Sequence, residues 1–191
     1  MMAMGAVGLV AVILIGGLLV LGLWFLMTYN VLVGLRNQVK NAWAQIDVQL
    51  KRRHDLIPNI VETVKGYAKH ERETFDAVVK ARSAAVQASG VAAQAKAEGE
   101  LSGVLSRLMA VAEAYPELKA NQNFLSLQEE LSSTENKIAF SRQAYNDQVM
   151  MYNTKIQMVP SNIVAGFGGF TAMDLFELKE QAQREAPSVK F

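Results

Sequence analysis

Apolar residues fill the chain from Ala6 to Met27 without a break, and only beyond Asn30 do apolar and polar positions begin to alternate with a period. These 22 residues of Ala, Val, Leu, Ile, Gly, Trp, Phe and Met would rise about 33 Å as a helix, which matches a hydrocarbon core of about 30 Å. The expectation is a transmembrane helix. Met1 to Gly5 carries no basic side chain, and the run closes on Leu-Trp-Phe-Leu-Met rather than on small residues. That pattern predicts a retained anchor, not a cleaved signal peptide. Trp24 and Tyr29 stand at the far end of the run, where amphipathic rings favour the headgroup level.

Beyond Asn30, Leu32, Leu35, Val39, Ala42 or Trp43, Ile46 and Leu50 recur at three- and four-residue steps, the stripe of an amphipathic helix. Pro58 lacks an amide hydrogen and disfavours helical geometry at Ile57, while Asp55 offers an N-cap. The spacing therefore predicts that this first helix ends between Arg53 and Ile57 and that a turn folds the chain back. A second stripe reads Ile60, Val61, Val64, Tyr67, Ala68, Phe75, Val78, Val79, Ala85 and Val86. It fades through Gly90 to Gly99, a stretch that reads as a helix end and loop. A third stripe, Leu101, Leu105, Leu108, Met109 and Ala112, stops before Tyr115-Pro116. A fourth resumes at Asn121 and runs through Phe124, Leu131, Ile138, Tyr145, Val149, Tyr152 and Ile156 to Pro160.

No segment alternates with the period of a strand. The predicted fold is all-α, an N-terminal transmembrane helix followed by an elongated antiparallel helical bundle of three to four long helices. Three regions are expected: residues 1–28 as a short N-terminus and anchor, 29–160 as the bundle, and 161–191 as a glycine and aromatic segment with a short C-terminal helix. Thr171 and Asp174 are spaced like that helix's cap.

Charge adds an orientation. The 19 basic and 18 acidic side chains all lie at or beyond Arg36, and the net charge is +1. Without a large basic field, nucleic acid is not an expected partner. Arg36 and Lys40 precede the first acid, Asp47, so the positive-inside rule puts the C-terminal domain in the cytoplasm, with an extracytoplasmic placement left open. Trp24, Tyr29, Arg36 and Lys40 are the expected membrane-interface residues, the last two being near enough to sense anionic lipid. The absence of cysteine excludes disulfides, thiolate metal sites and lipobox acylation.

Reactive constellations are not found. In His70-Glu71-Arg72-Glu73-Thr74 a threonine stands where a zincin helix needs its second histidine, and His54 alone does not make a metal site. Gly166, Gly168 and Gly169 do not complete a dinucleotide fingerprint, and the pairs Glu71 with Glu73 and Glu129 with Glu130 read as solvated helix faces. No catalytic residue, cofactor, metal or small-molecule substrate is expected, and the chain reads as a non-enzyme. Tyr145-Asn146 and Tyr152-Asn153 repeat the Tyr29-Asn30 dipeptide on one helical face and predict a polar layer between helices, or a subunit or ligand contact. Arg53, beside an apolar stripe, should pair with a glutamate. Ile163, Val164, Phe167, Phe170, Met173, Leu175 and Phe176 should pack over one end of the bundle or meet a partner or membrane. The structural or partner contacts expected are thus Arg53, Pro58, Tyr145, Asn146, Tyr152, Asn153, Phe167, Phe170 and Phe176.

The blocks LKRRHDLIPNIVETVKGYAKHE at 50–71, YPELKANQNFLSLQEELSSTENKIAFSRQAYNDQV at 115–149 and YNTKIQMVPSN at 152–162, following an N-terminal anchor, resemble the LemA family over roughly residues 28–176. The resemblance implies a single-pass protein of the bacterial inner membrane, with a short N-terminus outside and an antiparallel helical bundle inside. It assigns no reaction. Some relatives carry a lipobox cysteine at the Tyr-Asn position, where this chain has Met27-Thr28. Others stand beside membrane proteases, and one branch is tied to magnetosome membranes. Together these readings predict a membrane-anchored scaffold that binds lipid, forms a homo-oligomer and organises other membrane proteins. The alternative is an adaptor or regulator of a membrane protease or transporter, acting through Ile163 to Phe176 with Phe167 and Phe170 as anchors.

Overall fold

A computed structural model describes the backbone of residues 2–177 and the side chains of residues 12–177. The described backbone contains six helices and no strand: α1 (Met2–Lys65), α2 (Arg72–Gln87), α3 (Val91–Glu113), α4 (Pro116–Lys119), α5 (Gln122–Gln157) and α6 (Ser161–Phe167). The all-α class and the long final helix agree with the periodicity.

Three boundaries differ from the sequence reading. First, α1 does not stop before Pro58 but passes through it to Lys65. The His54 carbonyl gains the Arg82 guanidinium as its donor, and Leu56, Ile57, Ile60, Val61 and Val64 stay buried on one helical face, offsetting the cost of an interior proline. The turn comes at Gly66 to Glu71 instead, closed by the Tyr67 and Ala68 amides donating to the Val64 carbonyl. Second, the stretch after Gly90 is helix, not loop, because alanine propagates a helix better than any other residue even where it weakens the apolar stripe. Gly90 opens it at φ +86, a left-handed geometry that suits glycine. Third, no helix forms over residues 170–177, and the short helix, α6, lies ahead of the glycines. The rest of the expected C-terminal segment falls outside the described residues.

The chain divides into two compact units. One comprises Ala42–Asn146 with the chain from Asp174 onward. In it Trp43 meets Tyr145, Arg52 meets Glu130 and Tyr67 meets Asn121, so α1 and α5 run antiparallel. Contacts of His54 with Arg82 and of Lys65 with Phe75 make α2 antiparallel to α1. Gln94 reaches back to the Ala85 carbonyl across the α2–α3 turn. The result is an up-down-up-down four-helix arrangement around Ile57, Ile60, Val64, Val78, Leu101, Leu105, Leu108 and Leu118. Asn121 caps α5, its Oδ1 accepting from the amides of Asn123 and Phe124 at 2.9 and 3.1 Å.

The other unit comprises Met1–Asn41 and Asp147–Met173. Leu32, Val39, Val149, Tyr152, Val164 and Phe170 form its buried interior. From Val12 to Met27 the large apolar side chains of α1 are exposed instead, apart from the half-buried Trp24 and Phe25. Among the described residues this is the one helix long and apolar enough to cross a membrane.

Candidate functional site

Helix α5 presents two Tyr-Asn dipeptides two turns apart, and both bind the backbone of the irregular segment after α6. In the unit that holds α6, the Tyr152 hydroxyl donates to the Thr171 carbonyl at 2.9 Å. Asn153 accepts from the Met173 amide at 2.9 Å and donates to the Met173 carbonyl at 2.8 Å. In the four-helix unit, Tyr145 donates to the Asp174 carbonyl at 2.9 Å. Asn146 accepts from the Phe176 amide at 2.8 Å and donates to its carbonyl at 3.3 Å. Each side-chain amide thus engages both backbone groups of one residue, as a neighbouring strand would.

The spacing is commensurate. Seven residues of helix rise about 10.5 Å, close to the roughly 10 Å that three residues of extended chain cover. The dipeptides therefore do not build a layer between helices, as the sequence suggested, but hold a chain segment extended. With the backbone groups of Thr171, Met173, Asp174 and Phe176 so occupied, Thr171 and Asp174 do not cap a helix. Burial pushes both phenols up, helped at Tyr145 by the Asp174 charge and opposed at Tyr152 by Arg36.

Aromatic packing fixes the same segment. Phe176 is buried against Trp43, with ring centroids 5.9 Å apart, and Trp43 also meets Tyr145 at 5.4 Å. Phe170, 7% exposed, packs edge-on against Tyr29 at 5.4 Å, and the Arg36 guanidinium stands 5.0 Å over its ring. A Cβ at Gly168 would fall 2.5 Å from the Phe170 ring and 3.1 Å from Tyr29, so glycine is needed for this approach. Gly169 turns the chain at φ +66. Phe170 and Phe176 are therefore committed inside the protein and are not free partner anchors. Phe167 is 82% exposed, its ring centroid 6.5 Å from that of Phe25. Of the expected interface residues, Trp24 and Arg36 are half-buried, Tyr29 is partly covered by Phe170, and Lys40 is exposed.

A second cluster is buried in the four-helix unit. Arg53, only 1% exposed, donates from Nη2 to the Glu98 carboxylate and from Nη1 to Ser102 Oγ at 3.0 Å and Glu135 Oε1 at 2.6 Å. His54 Nε2 lies 2.8 Å from the other Glu98 oxygen, which also accepts from Gln94 at 2.7 Å. Burial raises the Glu98 carboxyl, but the His54 hydrogen bond, the Arg53 and His54 charges and the Arg53 hydrogen bond outweigh it and hold the group below its ordinary value.

Arginine–glutamate pairing was legible in the sequence; Glu98, Gln94, Ser102 and Glu135 were not named. Glu98 sits three residues after Ala95 and three before Leu101, on the buried face of α3, and that register was the available signal. Pro58 is an exposed residue of α1, and His70 is exposed in the turn before α2. The cluster pins α1, α3 and α5 together and pairs both terminal nitrogens of Arg53 with carboxylates, leaving only its Nε without a partner, the arrangement of a structural ion-pair network. Among the described residues no group of three His, Cys, Asp or Glu is placed to hold a metal ion.

The chain is 26% identical to magnetosome protein MamQ 2 of Paramagnetospirillum magneticum, over 81% of this chain and 66% of that protein. Magnetosome protein MamQ of Magnetospirillum gryphiswaldense is 25% identical with the same coverage. Protein LemA of Metamycoplasma hominis is 27% identical, over 71% of this chain and 63% of the relative. The chain spans slightly less than two thirds of the length of these relatives. The apolar span of α1 is, by length and composition, able to cross a membrane. The profile of the LemA family matches residues 42–191, through the four-helix unit and the clamped segment, and the chain belongs to the LemA family.

Proposed function

We propose that this LemA-family member is a single-pass inner-membrane scaffold, with its helical bundle in the cytoplasm, that self-associates and organises other membrane proteins. The observation that carries this reading is the continuity of α1. The helix that exposes Leu14, Leu18, Leu21 and Met27 to its surroundings is the same helix that supplies Leu50, Arg53, Ile57, Ile60 and Val64 to the bundle interior. An anchor that continues as a helix of the bundle tethers the bundle to the membrane. The magnetosome proteins among its relatives favour a membrane setting, and Arg36 and Lys40 favour the cytoplasmic side. Phe140, 74% exposed on α5, gives copies an aromatic surface on which to meet.

The test is the mass of the full chain in mild detergent and in nanodiscs, by light scattering. A discrete assembly of several copies that persists on dilution, and that Phe140→Glu reduces, is the expected result. A monomer at every concentration overturns self-association. In the adaptor reading, Ile163 and Phe167 are the exposed large apolar side chains that would meet the partner, since Phe170 and Phe176 are buried.

A further inference from the structure

We propose that the turn around α6, from Met158 to Phe167, is a second membrane-contacting element, its apolar tip seated in the interface of the same bilayer that α1 crosses. The inference rests on the reading of α1 as a transmembrane helix.

Composition is the first observation. No charged side chain stands between Lys155 and Asp174, a gap unlike anything else in the chain after Arg36 apart from the alanine-rich region. Exposure is the second. Met158, Val159, Ile163 and Phe167 are exposed, Val159 by 78%, while Val164 and Ala165 on the other side of α6 are buried. Such a patch of large apolar groups on a short helix is not ordinary protein surface.

Level along α1 is the third observation, and it names the occupant. The Phe167 ring lies beside Phe25, inside the apolar run and next to Trp24, and Phe170 lies on Tyr29. Around Phe25, α1 exposes Leu23, Leu26 and Met27, which need lipid at that height. The exposed face of α6 thus continues a surface that hydrocarbon already covers.

The backbone suits this placement. Ser161 Oγ lies 2.7 Å from the Lys155 carbonyl and 2.9 Å from that of Met158, and the Gly168 and Phe170 amides donate to the carbonyls of Val164 and Ala165. These polar groups are paired within the protein, as a water-poor interface demands.

The chain has no native cysteine, so single labels can be placed in the full-length protein. Phe167→Cys and Ile163→Cys, each carrying a bimane, are reconstituted in phosphatidylcholine and phosphatidylglycerol vesicles beside Leu19→Cys in the span and Glu129→Cys on the bundle. Unchanged helicity by circular dichroism qualifies each variant. The expected result is blue-shifted emission at 163 and 167 that shallow lipid-borne nitroxides quench and aqueous iodide does not, with the reverse at 129. Iodide quenching at 163 and 167 while the label at 19 responds to lipid overturns the proposal and leaves the anchor standing. Protection from both quenchers overturns it too, assigning the patch to a second copy or another protein. Iodide quenching at 19 overturns the anchor, and this proposal falls with it.

Discussion

Arg82 donates from Nε to the carbonyl oxygen of His54 at 2.7 Å, the oxygen that an amide at position 58 would bind in an unbroken helix. Pro58 has no such amide. The guanidinium from α2 replaces the missing donor, and α1 runs on through the proline. Arg82→Met should therefore destabilise the protein by about 1–3 kcal/mol, leaving a part-buried carbonyl unpaired. In a Pro58→Ala background, where the backbone supplies its own donor, the same change should cost less. Thermal melts of the unmodified protein and the three full-length variants in detergent, taken as a double-mutant cycle, check this. Equal losses in both backgrounds would remove the link between the two residues.

The ion-pair cluster predicts an unequal response to truncation. Glu98→Ala leaves Arg53 buried without its principal counter-charge and should cost about 3–5 kcal/mol. Glu135→Ala, at a part-exposed position, should cost less. Melting temperatures of the two variants decide the order.

Acid should act through Glu98. Its carboxyl is held below the ordinary value of 4.5 in the folded protein, so its contribution is full above that value and is lost as pH falls through the folded value. A melting series from neutral pH into acid should show the decline, and Glu98→Gln should flatten it.

The clamps predict local effects. Asn153→Ala should release the Met173 amide to hydrogen exchange and Asn146→Ala the Phe176 amide, each losing two hydrogen bonds worth about 1 kcal/mol apiece. The phenols add a pH dependence of opposite sign to that of Glu98. Both are raised above the ordinary value of 10.0, so their stabilisation is complete below it and is lost as pH rises through the folded values, where the hydroxyls no longer donate. Tyr145→Phe with Tyr152→Phe should remove that alkaline loss while lowering stability at neutral pH.

Gly168→Ala should displace the Phe170 ring, since the added methyl would lie 2.5 Å from it, at a cost of about 1–3 kcal/mol. Shortening the ring by Phe170→Leu in the same chain should recover part of the loss in a thermal melt.

Periodicity and composition were enough to reveal the apolar helix, the all-helical class, the stop before Pro116 and the length of α5, because burial along one helical face is written locally every three to four residues. The glutamate partner of Arg53 was likewise legible in kind. What stayed hidden depended on groups far apart in the chain. Pro58 reads as a break until Arg82 is brought to the His54 carbonyl, and Glu98 finds its partners only when α3 packs beside α1. Thr171 and Asp174 read as a helix cap until Tyr145, Asn146, Tyr152 and Asn153 occupy that segment's backbone. An ordinary residue's local preference is worth about a kilocalorie per mole or less and an interior proline's about 3 kcal/mol, and donors, paired charges and burial supplied from elsewhere in the fold offset them. Contacts distant in sequence therefore settled the helix boundaries and which aromatic residues remained exposed.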